Sequence, residues 1–502
     1  MSRLVALAGV ALAGTLLSPA PSYADPGPGG GPSPTACPAS VADVADCWTG
    51  QDANGAFYAI AVPHEWNGDL VVHSHGGPDL DDPTDASRSL DDLDRWSVMA
   101  REGYAWVGSA YRRGGFGTRM AVADTESARL AFEAAFGAPG RTFAHGQSWG
   151  GDVAAKLVEV HPTTYDGVLL TNGVLAGASR GYDYRVDLRV VYQYYCSNHP
   201  RPSEPQYPLW QGLRADSTMT STGLRARLQE CTGIESAPAD RTPLQQRNLD
   251  DILAVTKVPE RTLSSHLSFA TFTFRDIVHD RLGGRNPFSN LGVRYSGSHD
   301  DRALNRGVER FVADPGARRD LMWDSDLTGA VSIPTLDLHA IDDPTAFVEH
   351  ESAYRATRAG AGTADDLVQV FTAESEHSSL SNSGYAAAMH ALDTWVATGE
   401  KPTPASVAAS CPAYDAVYAS GCFLDPAFTP SSYDSRVNAR PLGRHWPTTP
   451  AWLERVWSHV PGIGIAPWAR RLRSTSGSPG GAASWSPRRR WRTPSRHRRA
   501  SG

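Results

Sequence analysis

The pentapeptide Gly146-Gln147-Ser148-Trp149-Gly150 constrains this chain more than any other stretch, because of what flanks it. Residues 141–145 (Arg-Thr-Phe-Ala-His) read as a short buried strand running in, and residues 151–160 read as a helix leading out. A reversal that sharp forces the serine at its apex into a strained backbone conformation. A Cβ at Gly146 or Gly150 would crowd the strand against the helix. A strand, a tight serine-bearing turn and a helix in succession point to a sheet covered by helices, with the hydroxyl held out at one edge.

The surrounding pattern agrees. Residues 57–63 (Phe-Tyr-Ala-Ile-Ala-Val-Pro), 68–74 and 104–110 read as strands bounded by turn residues. An amphipathic helix is predicted over 125–136, with Ala128, Leu130, Ala131, Ala134 and Ala135 as its apolar positions. The strand entering Ser148 follows, then another over 165–171. This alternation implies an α/β fold with a mostly parallel sheet and helices on both faces. It breaks near Arg180 and resumes at the strand over 333–340, so residues 181–328 are expected to form an inserted, largely helical cap. The core is then split into 37–180 and 329–400, closing with a strand over 367–371 and a helix over 384–397. A Pro-rich extension over 401–465 has no assignable structure.

The ends carry other signals. Arg3, the apolar run Leu4 to Leu17 and Ser22-Tyr23-Ala24 before Asp25 predict a signal peptide over 1–24. Fourteen residues of helix reach only ~21 Å, short of a ~30 Å hydrocarbon core, so no stable membrane insertion is expected. Residues 25–36, rich in Gly and Pro, read as a flexible leader, and 466–502 as a disordered Arg-rich tail. Ten arginines and no acid lie between Arg470 and Arg499, so the formal charge of −7 hides a more acidic body, which argues against nucleic acid as a partner. In an exported chain six cysteines favour disulfides. Cys37 with Cys47, Cys196 with Cys231 and Cys411 with Cys422 are the sequence-local pairings among fifteen possible connectivities. Secretion is the expected localisation.

The unit around Ser148, together with His75-Gly76-Gly77-Pro78 after an early strand, resembles the α/β-hydrolase superfamily. Within it, G-x-S-W-G and H-G-G-P are similar to proline iminopeptidases, although Asp79 follows Pro78 where that family continues Pro-Gly. Trp66-Asn67-Gly68-Asp69-Leu70 resembles a segment of secreted actinobacterial hydrolases. The superfamily order of nucleophile, acid and histidine implies a triad of Ser148, Asp343 and His377. Asp343 lies in 336–344, which resembles the family's strand-end acid segment with Ala340 in place of its glycine. Asp342 is its competitor. His377 sits in a loop between the last strand and helix and competes with His339, His350 and His390. The resemblance also implies an oxyanion hole from the amides of Gly77 and Trp149. His73-x-His75 invites a metal reading, but Gly77-Pro78 stands where a further Asp-His pair would be needed, so neither metal nor organic cofactor is expected.

The expected function is a secreted serine hydrolase cleaving a carboxylic ester or related acyl bond of a small molecule. The tyrosines of the insertion allow an aromatic substrate or simply a packed interior. The alternatives are an exopeptidase or amidase, in which carboxylates would receive the substrate's amino end, with Glu349 and Glu351 read either as contributors to that or as ordinary surface helix acids, and a non-catalytic binding protein on the same scaffold.

Overall fold

A computed structural model of the chain describes residues 31–440. The predicted signal peptide, residues 25–30 of the leader, 441–465 of the extension and the Arg-rich tail lie outside the described residues. Among the described residues nine strands form one sheet: β1 (Ser33–Thr35), β2 (Ala45–Gln51), β3 (Phe57–Pro63), β4 (Leu70–Ser74), β5 (Ala105–Ser109), β6 (Thr142–Gln147), β7 (Gly167–Thr171), β8 (Thr335–Ala340) and β9 (Leu367–Thr372). Their order is β1-β2-β3-β5-β4-β6-β7-β8-β9. The first three pairings are antiparallel and the remaining five parallel.

The strands dominated by apolar residues are the ones buried on both faces. Their two-residue period sends neighbours to opposite sides. Ile60, Val72 and Val107 join one apolar cluster with Val122 and Phe132 of α2 (Thr118–Phe136) and Leu157 of α3 (Trp149–Val160). Ala61, Val71 and Trp106 join another with Leu93 of α1 (Ser87–Arg95) and Leu392 of a helix near the end of the core. Between β7 and β8 the described residues form helices and turns without a strand, beginning with a short helix and then α4 (Asp183–Cys196). The core then adds α5 (His350–Ala361), α6 (Asn382–Thr398) and α7 (Pro404–Tyr418). This strand order, crossed by helices on both faces and interrupted after β7, is the α/β-hydrolase fold.

Several boundaries differ from the sequence reading. The helix read over 125–136 begins seven residues earlier, and Leu130, Ala134 and Ala135 face solvent while Ala121, Val122, Thr125, Ala128 and Phe132 form its buried face. Part of the flexible leader is ordered: Ser33–Thr35 pairs with β2, with Thr35 opposite Cys47. The Cys37–Cys47 disulfide ties that edge strand down. Cys196 bonds to Cys231 and Cys411 to Cys422, the sequence-local pairings. The start of the unassigned extension is α7, which Thr403 caps in a capping box with Pro404 at its first turn.

Candidate active site

The parallel strands all end at one edge, and the residues singled out in the sequence collect there. Ser148 immediately follows β6 and caps α3 with φ 62° and ψ −127°, a left-handed conformation that costs a non-glycine residue ~1–3 kcal/mol. The glycines on either side make this turn sterically possible. A Cβ on Gly146 would lie 2.0 Å from the Gly150 carbonyl oxygen, and one on Gly150 would lie 2.0 Å from that of Ser74.

Asp343 lies just beyond β8 and His377 just beyond β9. His377 Nδ1 is 2.7 Å from Asp343 Oδ2, and its Nε2 is 2.7 Å from Ser148 Oγ. A carboxylate only accepts, so it fixes the proton on Nδ1 and leaves the Nε2 lone pair facing the hydroxyl. The other carboxylate oxygen of Asp343 accepts from the amides of Thr345 and Ala346, at 2.7 and 3.0 Å. The imidazole is partly open, its side chain 17% exposed, while the Asp343 side chain is fully covered. Low exposure around the carboxylate strengthens its hold on the imidazole.

The competitors have other occupations. Asp342 is exposed. His350 is buried and accepts from the Ala176 amide at 3.1 Å. His390 pairs with Glu102 at 2.6 Å, across to the start of the β5 region. His339 is buried beneath Asp343, with Nδ1 2.7 Å from Glu351 Oε1 and Nε2 donating to the Ala346 carbonyl at 2.8 Å. This corrects the reading of Glu351 as a surface acid: the side chain is wholly buried, because α5 packs its first turn against β8 and β9. Asp337, His339 and Glu351 bring ligand-type atoms close together, but the Gln369 amide nitrogen already bridges Asp337 and Glu351, at 3.2 and 2.7 Å. Burial pushes the Asp337 carboxyl up to about 8.

The Gly76-Gly77 loop abuts Ser148. A Cβ on Gly76 would come within 3.3 Å of Ser148 Cβ, and one on Gly77, whose φ is 141°, within 3.9 Å of the Trp149 ring. The Gly77 and Trp149 amides donate to no acceptor among the described residues, which leaves both N–H groups available. Arg88 braces the loop by approaching the Gly76 carbonyl at 3.5 Å and Asp79 at 3.4 Å. The two histidines of the H-x-H pattern part company. His73 lies 2.9 Å from His145 (Nδ1 to Nδ1) inside the sheet layer, whereas His75 stacks on Tyr111. Burial lowers His75 to about 4, against the attraction of Asp92, so it is a neutral ring at physiological pH.

Three supporting residues carried no motif. Gln147 Nε2 donates to the His377 carbonyl at 2.6 Å. Asn172, buried at the end of β7 with φ 45°, donates to the same carbonyl at 2.7 Å and accepts from the Ala340 amide at 2.8 Å. Arg261, from the insertion, donates from one Nη2 to the Asp342 carbonyl at 3.0 Å and the Ser375 carbonyl at 2.9 Å, linking the loops of Asp343 and His377.

No protein-family model matches the chain, and no curated protein matches it. Among solved structures it is similar to feruloyl esterase B from Aspergillus oryzae, at 13% identity and a TM-score of 0.42, over 75% of this chain and 86% of that one. It is also similar to lipase A from Candida antarctica, at 11% identity and a TM-score of 0.40, over 76% and 85%. An esterase from Aspergillus oryzae gives 14% identity and a TM-score of 0.40, over 75% and 86%.

Proposed function

We propose that this protein is a serine hydrolase that cleaves a carboxylic ester through an acyl-enzyme. The reading rests on one observation above all: an unbroken line of two 2.7 Å contacts from Asp343 through His377 to Ser148. A serine hydroxyl is a weak nucleophile without such a base, and a base without an orienting carboxylate presents the wrong nitrogen part of the time. In the proposed reaction Ser148 Oγ attacks the carbonyl carbon as His377 Nε2 takes its proton. Asp343 stabilises the imidazolium, and the Gly77 and Trp149 amides donate to the oxyanion. The proton passes to the departing alkoxide as the C–O bond breaks. Water, deprotonated by the same nitrogen, then releases the acid and restores the Ser148 hydroxyl.

A fluorophosphonate probe tests the reading. It should label the native protein covalently, and Ser148→Ala should abolish labelling and lower kcat by about 10⁶-fold on any turned-over ester. Labelling that survives the substitution refutes the assignment. The exopeptidase alternative loses one of its two candidate amine receptors, since Glu351 is sealed against His339. Comparing p-nitrophenyl esters with aminoacyl anilides separates the two, and faster anilide turnover would reverse the preference. Secretion is part of the same proposal, supported by three disulfides, which form in oxidising compartments. Terminal sequencing of protein from the medium should begin at Asp25.

A further inference from the structure

Two buried arginines of this molecule are well supplied with acceptors. Arg358, fully covered, spends its guanidinium on Thr363, Thr335, Tyr354 and the Val331 carbonyl. Arg440 is paired with Asp187. Arg185 on α4 is different. The residue is only 5% exposed, yet no carboxylate lies within ion-pair distance of it among the described residues. Its Nε donates to His266 Nδ1 at 3.3 Å, the Tyr184 hydroxyl interacts with the guanidinium, and no carboxylate or carbonyl of a described residue takes a hydrogen bond from either terminal nitrogen. Those nitrogens are also not among the closed-off polar atoms, unlike the unpartnered nitrogens of Arg189, so they face accessible space.

The fork is held rigidly. Its central carbon lies over Phe269, 3.8 Å from the ring centre, with the rings of Tyr184 at 5.0 Å and Tyr182 at 5.1 Å. His266 orients it without adding charge. Its Nε2 donates to the Pro344 carbonyl at 2.9 Å, so Nδ1 is the acceptor for Arg185, and burial together with the Arg185 cation keeps the ring neutral. Two links tie the group to the reaction centre. Pro344 adjoins Asp343. Tyr182 meets Phe116 at 6.0 Å, and Phe116 meets Trp149, the neighbour of Ser148, at 5.7 Å. Nothing in the proposed reaction uses a cation there. Holding an uncompensated guanidinium out of bulk water costs folding energy, which a ligand anion would recover.

Building on the serine-hydrolase reading, we infer that Arg185 is a specificity-determining residue that receives a carboxylate carried by the substrate away from the scissile carbonyl. The two terminal nitrogens of one planar fork match the two oxygens of a carboxylate. The substrate class is then a monoester of a dicarboxylic acid, or an ester whose leaving group bears the carboxylate.

The test compares isosteric esters: p-nitrophenyl valerate against mono-p-nitrophenyl glutarate for an anion on the acyl side, and phenyl valerate against 4-valeryloxybenzoate for one on the leaving side. The wild-type protein should favour one carboxylated ester over its neutral partner by about tenfold or more in kcat/KM, mostly through KM. In Arg185→Gln that ratio should fall by about 30-fold or more, with Arg185→Lys between the two. Glutarate should slow fluorophosphonate labelling of the wild type and leave the rate in Arg185→Gln unaffected. A wild type indifferent to both carboxylates, or a ratio unchanged by Arg185→Gln because both rates fall together, overturns the inference. If Arg185→Gln does not fold, the wild-type preference, glutarate protection and the Arg185→Lys ratio decide it. Loss of the fluorophosphonate reaction itself would instead strike the serine-hydrolase reading.

Discussion

Asn172 offers the sharpest check on how the histidine is held. Its side chain spans the ends of two strands and the His377 loop, accepting from Ala340 N and donating to the carbonyls of His377 at 2.7 Å and Glu376 at 3.3 Å. Asn172→Ala perturbs two things at once. Placing alanine at φ 45° costs about 1–2 kcal/mol, since its Cβ meets the following carbonyl. Leaving the buried Ala340 amide without an acceptor costs about 1–3 kcal/mol more. The His377 carbonyl is spared a full penalty because Gln147 still donates to it at 2.6 Å. Asn172→Gly removes the side chain without the backbone strain, so it should lose only the second amount. Urea denaturation of the three proteins should therefore rank wild type, Gly, Ala. The loop, freed on one side, should let the imidazole wander, and a displacement near 1 Å costs on the order of 100-fold in reaction rate. Fluorophosphonate labelling should slow in both variants, and further in Asn172→Asp, which turns a carboxylate toward two carbonyl oxygens. An Asn172→Gly protein as stable as wild type and labelled at the same rate would refute the argument.

Arg261→Ala should lower kcat several-fold with KM almost unmoved and lower stability by about 1–3 kcal/mol, because its two exposed hydrogen bonds are worth about 0.5–1.5 kcal/mol each. Partial rescue of kcat by Arg261→Lys distinguishes positioning from bulk. Gly146→Ala, whose Cβ would sit 2.0 Å from a carbonyl oxygen, should destabilise by about 3 kcal/mol or more. Gly384→Ala, which meets nothing closer than 3.9 Å inside α6, should be neutral or stabilise by up to about 1 kcal/mol in the same urea series. Asp337 has its carboxyl pushed up to about 8 in the fold from 3.8, so the folded state holds the proton that the unfolded chain releases. Stability should fall as pH rises from about 4 to about 8, by at most ~1.4 kcal/mol per pH unit from this group. Asp337→Asn should flatten that decline, and a wild-type-to-variant difference that is constant between pH 5 and pH 8 would contradict it.

The fold was readable where burial on both faces favours apolar residues. The strands β3 to β9 are mostly apolar, with buried polar residues such as His73, Asp337 and Gln369 among them, and their positions came out within a residue or two. The elements that escaped obey other rules. The strand β2 contains Asp46, Thr49, Gly50 and Gln51, because it lies toward an edge and has one face partly wet. The strand β1 is only three residues long, paired to β2 beside the Cys37–Cys47 disulfide. The first turn of α2 begins at Thr118 because Asp324, some two hundred residues on, accepts from the Thr118 amide at 2.8 Å. No local pattern announces a cap supplied from that distance. Leu130 misled for the opposite reason: a large apolar side chain is no guarantee of burial on a helix whose inward face is set by alanines and Phe132.

The candidate site divides in the same way. Ser148, Gly146, Gly150 and the Gly76-Gly77 loop are legible because their requirement is local: a backbone bent so sharply, or brought so close to another chain segment, tolerates almost no other residue. Asp343 and His377 are legible at one remove, since each must lie just past a strand end and neighbouring strands of a parallel sheet finish at a common edge. Asn172, Gln147 and Arg261 are invisible, because a side chain that reaches a carbonyl chosen by the fold leaves no mark on the residue types around that carbonyl. Arg185 is the extreme case. In the sequence it is one arginine on a helix with Tyr182 and Tyr184 beside it. Only the packing of Phe269 and His266 against it, with no carboxylate of the described residues brought along, turns an ordinary helical cation into an unmet charge. The absence of a partner is a property of the assembled space around a residue, so it can be read from structure alone, and it is there that the substrate's own charge has to be sought.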